Sequence, residues 1–340
     1  MIKLIQNITI YHRNAKIYCF SCLTGHRLEV AEHYKIHGIS SQFILKEENL
    51  LKLGLKDISD EIRFLKIIRR KEMENNKQKI DPLCMKPNEF RKLVREEKWT
   101  DITIEACQGY AQANLAILPK EYAYDFLLFC TRNPRPCPIL EVTEPGDPCS
   151  KELAVEADIR TDLPRYRIFK NGEIIDEPTN IIEYWRDDLV TFFLGCSISF
   201  LWALKSANVS WKNYGNYKTS IKSKPAGFFH GPIVVTVRSF KTTHEATRAI
   251  QISSGHLLMH GSPIYIGKPE DIGIELGKLD LFNPKRFEDD PPRDNEIIMY
   301  WACGITPQAV AIETKIPLMI THYPANMFVT DHIIEEFSNL

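Results

Sequence analysis

Residue types suited to chemistry concentrate between Cys130 and Arg167. The segment reads CTRNPRPCPILEVTEPGDP and, nine residues later, DIRTDLPRYR. Six prolines fall among five arginines and seven acidic residues. Proline fixes φ and removes a backbone donor, so this is a rigid, turn-rich path and not one long helix. Arg132, Arg135, Glu141, Glu144, Asp147, Asp158, Arg160, Asp162 and Arg165 then stand as fixed charges that could surround a small polar ligand. Surface ion pairs and helix caps use the same residue types, and the loop alone favours that plainer reading slightly.

Three later segments add polar groups. GFFHGP (227–232) sets His230 in a glycine-framed turn before a strand. WACGITPQA (301–309) passes from a strand through Gly304 into a helix with Thr306 as N-cap, exposing N–H groups suited to a carboxylate. THYPANM (321–327) sets His322 just past a strand end, and ligands of open α/β sheets gather outside the carboxyl ends of strands. Either histidine could equally serve a buried carbonyl. Cys19-x-x-Cys22 with His26 and His33 lacks a second cysteine pair and is a weak zinc signal. Neither a Gly-rich phosphate loop nor a GxSxG elbow is present.

The elements that must hold these groups follow from pattern. A chain of 340 residues suits two domains, or one large domain with an appendage. Its 43 Lys and Arg against 44 Asp and Glu argue against a dominant nucleic-acid role but not against a small anionic ligand. No apolar run reaches the roughly 20 residues that span a bilayer, so no membrane partner is expected. LVTFFLGCSISFLWAL (189–204) reads as a buried helix followed by a second buried element. Nine cysteines without a small-domain pattern fit reduced thiols. The first acidic residue is Glu29, so residues 1–28 form a basic extension. That start suits a mitochondrial presequence or a basic tail, and the strand-like Ile8-Thr9-Ile10-Tyr11 counts against the former.

Helices are expected at Pro87–Lys98, Glu121–Cys130, Thr179–Phe193, Thr243–Gln251 and Thr306–Thr314. Strands are expected at Ala111–Leu118, Pro138–Val142, Ile233–Val237, Pro263–Ile266, Ile297–Ala302 and Leu318–Thr321. RYRIFKNGEIIDEP (165–178) carries Asn171-Gly172 between alternating residues, a hairpin signal. Alternating helices and strands indicate an α/β domain with a smaller α+β lobe.

Two resemblances add to this. KEENLLKLGLKDISDEIRFLKIIRRK (46–71) resembles the second half of a SAM domain, with Leu50, Leu53, Gly54, Leu55, Ile62, Leu65 and Ile68 on its pattern. A helical SAM-like module over 29–72 follows, then a polar linker over 73–82, with self-association or a protein partner through the module as the implied role. GYAQANLAILPKEYAYDFLLFCTRNPRPCPILEVTEPGDP (109–148), ADIRTDLPRYR (157–167), WRDDLVTFFLGCSISF (185–200), FHGPIVV (229–235), HGSPIYIG (260–267), YWACGITPQAVA (300–311) and ITHYPANMFVTD (320–331) look like the D-glutamate cyclase family. That likeness covers about 83–333 and leaves 334–340 as a tail. It implies two intertwined α/β lobes, a three-layer sandwich with a smaller α+β lobe. Two departures stand out: Cys107-Gln108 where the family usually has Ala-Pro, and Phe228 where it usually has arginine.

The activity the resemblance implies is a hydro-lyase step between D-glutamate and 5-oxo-D-proline plus water. A hydratase of another small carboxylic acid and a SAM-mediated interaction protein with a silent lobe are the alternatives. The reaction needs cations for a carboxylate, a base for the ammonium, donors for an oxyanion and an acid for departing water. Expected roles are Arg160 and Arg165, with Arg132, on carboxylate; Glu144 or Asp162 as base; His230 as proton shuttle. Gln112, Asn114, Thr306 and His322 supply donors or contacts. No cofactor is evident. A divalent ion such as Mn²⁺ on Glu141, Glu144, Asp147 and His230 is compatible with the spacing without being required by it. Resemblance to vertebrate members points to mitochondria, with the cytoplasm as the alternative.

Overall fold

A computed structural model describes residues 18–20, 27–29, 81–276, 282 and 292–338. The chain divides into two compact units, Met1–Ile80 and Asp81–Leu340. In the first, β1 (Tyr18–Phe20) pairs antiparallel with β2 (Arg27–Glu29). The SAM-like reading over 29–72 lies outside the described residues, as do Cys22, His26, His33 and most of the 73–82 linker.

The second unit opens with α1 (Pro87–Arg95), whose Phe90 and Val94 are buried, and continues into β3 (Tyr110–Pro119). Next come α2 (Lys120–Arg132), β4 (Ile139–Val142), β5 (Tyr166–Lys170), β6 (Glu173–Asp176) and β7 (Leu189–Gly195). After α3 (Leu201–Ser206) the chain builds a second sheet from β8 (Lys212–Lys222), β9 (Pro232–Phe240), β10 (Tyr265–Ile266) and β11 (Ile297–Ala302). α4 (Thr243–Ser254) follows β9, held at its start by a Thr242–Glu245 capping box. α5 (Thr306–Thr314) then leads back into the first sheet through β12 (Met319–His322) and β13 (Phe328–Ile333).

The large sheet has the order β4-β7-β3-β12-β5-β6, with β13 also on β3; the small one has the order β10-β11-β9-β8. Every ladder in both is antiparallel. The architecture is therefore mixed α/β with antiparallel sheets and few helices, and the rule for parallel α/β sheets does not locate the site. The small sheet is inserted in the chain between β7 and β12, so the two halves interleave in sequence.

β3 is the central strand because both its faces are apolar. Ala116 and Leu118 face a layer with Phe126, Phe129, Phe192 and Val310; Ala113, Leu115 and Ile117 face one with Ile168, Phe193, Ile320 and Phe328. Successive side chains of a strand point to opposite faces, which explains the split.

Residues 189–204 correct the expectation of a leading helix. Leu189–Gly195 is a strand, and the helix is Leu201–Ser206. Phe192 and Phe193 enter opposite layers, a period of two that suits a strand gripped between β3 and β4. The expected Thr179–Phe193 helix is reduced to a 3-10 turn at Ile182–Tyr184. β8 and β13 were not foreseen: KNYGNYKTSIK is polar along one edge, and its burial comes from Tyr214 and Tyr217 packing in the small sheet's own core.

Candidate active site

β12 and β13 run antiparallel along the same edge of β3, β12 beside Ala116 and Ile117, β13 beside Tyr110, Gln112 and Ala113. Between them residues 323–327 leave the ladder, with Ala325 at φ 69°. The break withholds a strand carbonyl from the Leu115 N–H, which instead donates to His322 Nδ1 at 3.2 Å. A nitrogen that accepts carries no proton, so the neutral ring holds its proton on Nε2. His322 Nε2 is buried and has no partner. Burial, with a smaller contribution from the Arg167 charge, pushes the His322 pKa down to about 4. At neutral pH His322 is thus an uncharged N–H donor.

His322 lines a recess of about 30 Å³ with Asn114, Cys196, Ser197, Asn216, Thr236, Cys303 and Ile305. That is room for about two water molecules. Among the described residues no charged side chain lines it. Asn114 Nδ2 donates to the Gly195 carbonyl at 2.6 Å. Asn114 lies so close to Gly304 that a Cβ there would sit 2.0 Å from Nδ2. Burial pushes the Cys196 thiol up to about 12 and raises Cys303, so both remain protonated thiols. Thr236 Oγ1 and Cys303 Sγ both donate to Asn216 Oδ1, at 2.8 and 3.6 Å. The recess is a neutral pocket with hydrogen-bond donors.

A larger cleft of about 440 Å³ adjoins it across Ile104, Ile198 and Asn213, which line both. Gln108, Tyr110, Gln112, Trp202 and Trp211 form its walls, and its charged lining residues are Glu105 and Lys205. Gln112 fastens the loop that carries Glu105: its Nε2 donates to Thr103 and Ala106 carbonyls at 2.7 and 3.2 Å, and its Oε1 accepts from Thr103 Oγ1.

Of the residues expected from sequence, Asn114 and His322 line the recess and Gln112 lines the cleft. Thr306 sits behind the recess, at the first helical position of α5 with Ile305 as N-cap; its Oγ1 donates to the Cys303 carbonyl and accepts from Val234 N–H. The others lie outside the residues that line either space. Asp162 is buried in a two-pronged pair with Arg95, at 2.8 and 2.7 Å. Arg160 pairs with its neighbour Asp158 at 2.8 Å. Arg165 stacks on Tyr323 near Glu177, and Arg132 donates to the Pro225 carbonyl. Glu144 and His230 are exposed. Phe228 packs on Tyr122 and Phe229 and lines neither space, whereas Cys107 and Gln108, the other departure, line the cleft.

Glu141 accepts from Ser150 Oγ and the Lys151 and Leu153 amides, and Asp147 pairs with Lys151. Among the described residues no three His, Cys, Asp or Glu side chains are grouped to hold a metal ion. Also among them, no helix is long and apolar enough to cross a membrane. Sequence reasoning missed Ser197, Cys196, Cys303, Glu105 and Lys205. The Gly195-Cys196-Ser197 and Cys303-Gly304 stretches inside the quoted motifs were the available signal. Asn216 and Thr236 carry none, since they meet only across the β8–β9 ladder.

The D-glutamate cyclase family model matches residues 190–331. Three curated relatives bear the name putative hydro-lyase. That of Thermoanaerobacter sp. (strain X514) is 46% identical over 261 residues, covering 75% of this chain and 96% of the relative. That of Rubrobacter xylanophilus is 44% identical over 256 residues, 73% and 96%. YcsI of Bacillus subtilis (strain 168) is 46% identical over 254 residues, 73% and 96%. A solved structure, a nitrogen repressor-like protein from Methanococcus jannaschii, aligns at 11% identity and a TM-score of 0.33 over 72% of this chain and 94% of that one. Identity near one half over nearly the full length of these relatives places the recess, the cleft and the sheets around them in one family: this chain belongs to the D-glutamate cyclase family of hydro-lyases and is a carbon–oxygen lyase.

Proposed function

We propose that this hydro-lyase interconverts D-glutamate with 5-oxo-D-proline and water. The observation that carries the reading is a donor-lined recess without a charged lining residue, beside a cleft whose charged lining residues are one carboxylate, Glu105, and one ammonium, Lys205. In the forward direction the substrate amine attacks its own γ-carboxyl carbon. A C–N bond forms, a C–O bond breaks, and the two protons shed by the ammonium leave with the oxygen as water. No protein nucleophile is required, which agrees with thiols held protonated at Cys196 and Cys303.

The enzyme's work is then geometry and proton transfer. Holding amine and carboxyl in a near-attack arrangement removes several kcal/mol of the barrier. Glu105 takes the ammonium proton and returns it to the leaving oxygen, and Lys205 balances charge at the cleft mouth. Neutral hydrogen-bond donors stabilise developing negative oxygen without first losing a proton.

The test is incubation of the full chain with 5-oxo-D-proline and, separately, its L-isomer, with and without Mn²⁺, following glutamate by chiral chromatography. D-glutamate from the D-isomer alone is the expected result. No product from either isomer overturns the reading and directs attention to another small carboxylic acid. The Mn²⁺ arm reports whether a divalent ion takes part.

A further inference from the structure

We propose that Arg238 and Ser197 make the recess a carboxylate receptor that takes the α-carboxylate of the substrate, with Ser197 and His322 touching it and Arg238 acting through Ser197. The assignment to the α-carboxylate rests on the lactam reading above; the receptor itself does not.

Arg238 lies on β9 and is fully buried. Its guanidinium stands over the rings of Phe200 and Trp301, 5.4 and 5.1 Å from their centroids. Nη2 donates to Ser197 Oγ at 3.1 Å, while Nε and Nη1 are buried without a partner. Among the described residues no carboxylate pairs with it. A guanidinium withdrawn from water without a counter-charge is strongly unfavourable, and two aromatic faces offset only part of that cost. Burial holds Arg238 down to about 10, so it is still charged at neutral pH. A buried cation of this kind is stabilised by an anion brought near it.

The route from Arg238 to the recess is Ser197. A hydroxyl that accepts from a guanidinium has its own O–H left to give, and Ser197 lines the recess. The cation polarises that hydroxyl and strengthens it as a donor to negative oxygen. His322, which lines the same small space, has a second unpartnered donor, its buried Nε2–H. Two donors suit the two oxygens of a carboxylate. A recess with room for about two waters admits one carboxylate and leaves the rest of the molecule to the cleft. Of the substrate's two carboxyls, the γ group becomes an amide, whereas the α-carboxylate stays charged throughout. A fixed buried cation matches the group whose charge is permanent.

The test uses the full chain with acetate, a carboxylate that can enter the recess alone, and acetamide as its neutral counterpart. Thermal unfolding is followed for the wild type, Ser197→Ala, Arg238→Met and Arg238→Lys. Acetate is expected to raise the wild-type Tm, acetamide to leave it unchanged, and Ser197→Ala and Arg238→Met to abolish the acetate shift. No acetate shift in the wild type, an equal shift with acetamide, or a shift that survives Ser197→Ala overturns the proposal. Ser197→Ala keeps the test decisive if either Arg238 variant fails to fold. With 5-oxo-D-proline as substrate, Ser197→Ala is expected to raise KM at least tenfold with kcat within about threefold, the signature of lost uniform binding. An acetate shift that behaves as expected in a protein that forms no D-glutamate keeps the receptor and removes only the lactam reading.

Discussion

The Leu115 amide and the His322 ring are joined by a 3.2 Å bond to Nδ1, and that bond decides which nitrogen carries the proton. It exists because β12 and β13 share one edge of β3 with a five-residue break between them. His322→Asn keeps an acceptor for Leu115 and removes the Nε2–H. Because that group is one of the two donors to the α-carboxylate, its loss is expected to raise KM about tenfold with kcat within about threefold and little change in Tm. His322→Leu also strands the Leu115 N–H and is expected to cost a further ~1–3 kcal/mol of stability, read by urea unfolding.

Acid should unfold the protein earlier than a typical domain. Burial is the main cause that holds both His322 and His260 at about 4, against an ordinary value of 6.5. In the unfolded chain these rings bind protons near pH 6.5, while in the folded chain they do so only near pH 4. Their contribution is complete above pH 6.5 and is lost as pH falls toward 4, up to ~3 kcal/mol for each ring. Urea midpoints measured from pH 7 to 4.5 should fall steeply, and His322→Asn should flatten the slope by about half.

Two glycines frame Asn114 and differ in how they can fail. A Cβ at Gly304 meets the Asn114 amide, which can swing away, and lies 2.9 Å from Asn114 Cβ, which needs a small shift of the turn. Gly304→Ala should fold, lose ~1–3 kcal/mol and lose most activity, because Asn114 is pushed out of the recess wall. A Cβ at Gly195 would lie 1.6 Å from the Leu258 carbonyl oxygen, which is backbone. Gly195→Ala should therefore give little folded protein, seen as loss of a cooperative unfolding transition.

The charged loop separates stability from turnover. Asp162→Asn removes a buried carboxylate held by Arg95 and should lower stability by about 1–3 kcal/mol while the folded fraction keeps its rate. Glu144→Ala and His230→Ala, both at exposed positions, should leave kcat within about twofold. A larger loss in either returns that residue to the mechanism.

Glu105→Gln removes the carboxylate of the cleft without changing its size. As the proposed proton carrier its loss should cut kcat about 10²–10⁴-fold with KM nearly unchanged. Near-normal turnover would transfer the base role elsewhere in the cleft.

Local pattern was enough for the elements whose signals are local. The Asn171-Gly172 hairpin, the 3.6-residue spacing of Phe90 and Val94 in α1, and the apolar run of β3 were legible because neighbours in sequence determine them. The seven motifs around them were long enough to carry the family. Leu189–Gly195 was not legible as a strand, since an apolar run fits a buried helix and a buried strand equally until its partners β3 and β4 are known.

The site divides in the same way. His322 was picked out as lying just past an expected strand end, and Asn114 as an amide donor within the motif of β3, both local features. Asp162 carries a suitable charge, but tertiary structure gave it Arg95, 67 positions away, as partner, while Arg160 and Arg165 are taken up by Asp158 and Glu177, two and twelve positions along the chain. Arg238 shows the converse. In sequence it is one arginine in a strand, and only the folding of Phe200, Trp301 and Ser197 around it creates a buried cation without an anion. Sequence determines which side chains carry charge and which short stretches are helix or strand, because those follow from residue chemistry and neighbours. Which buried polar groups meet, and which cation is left without a carboxylate beside the recess, depends on contacts far apart in the chain, such as Ser197 with Arg238, 41 positions, and Asn114 with Gly195, 81 positions, and only the tertiary structure brings those together.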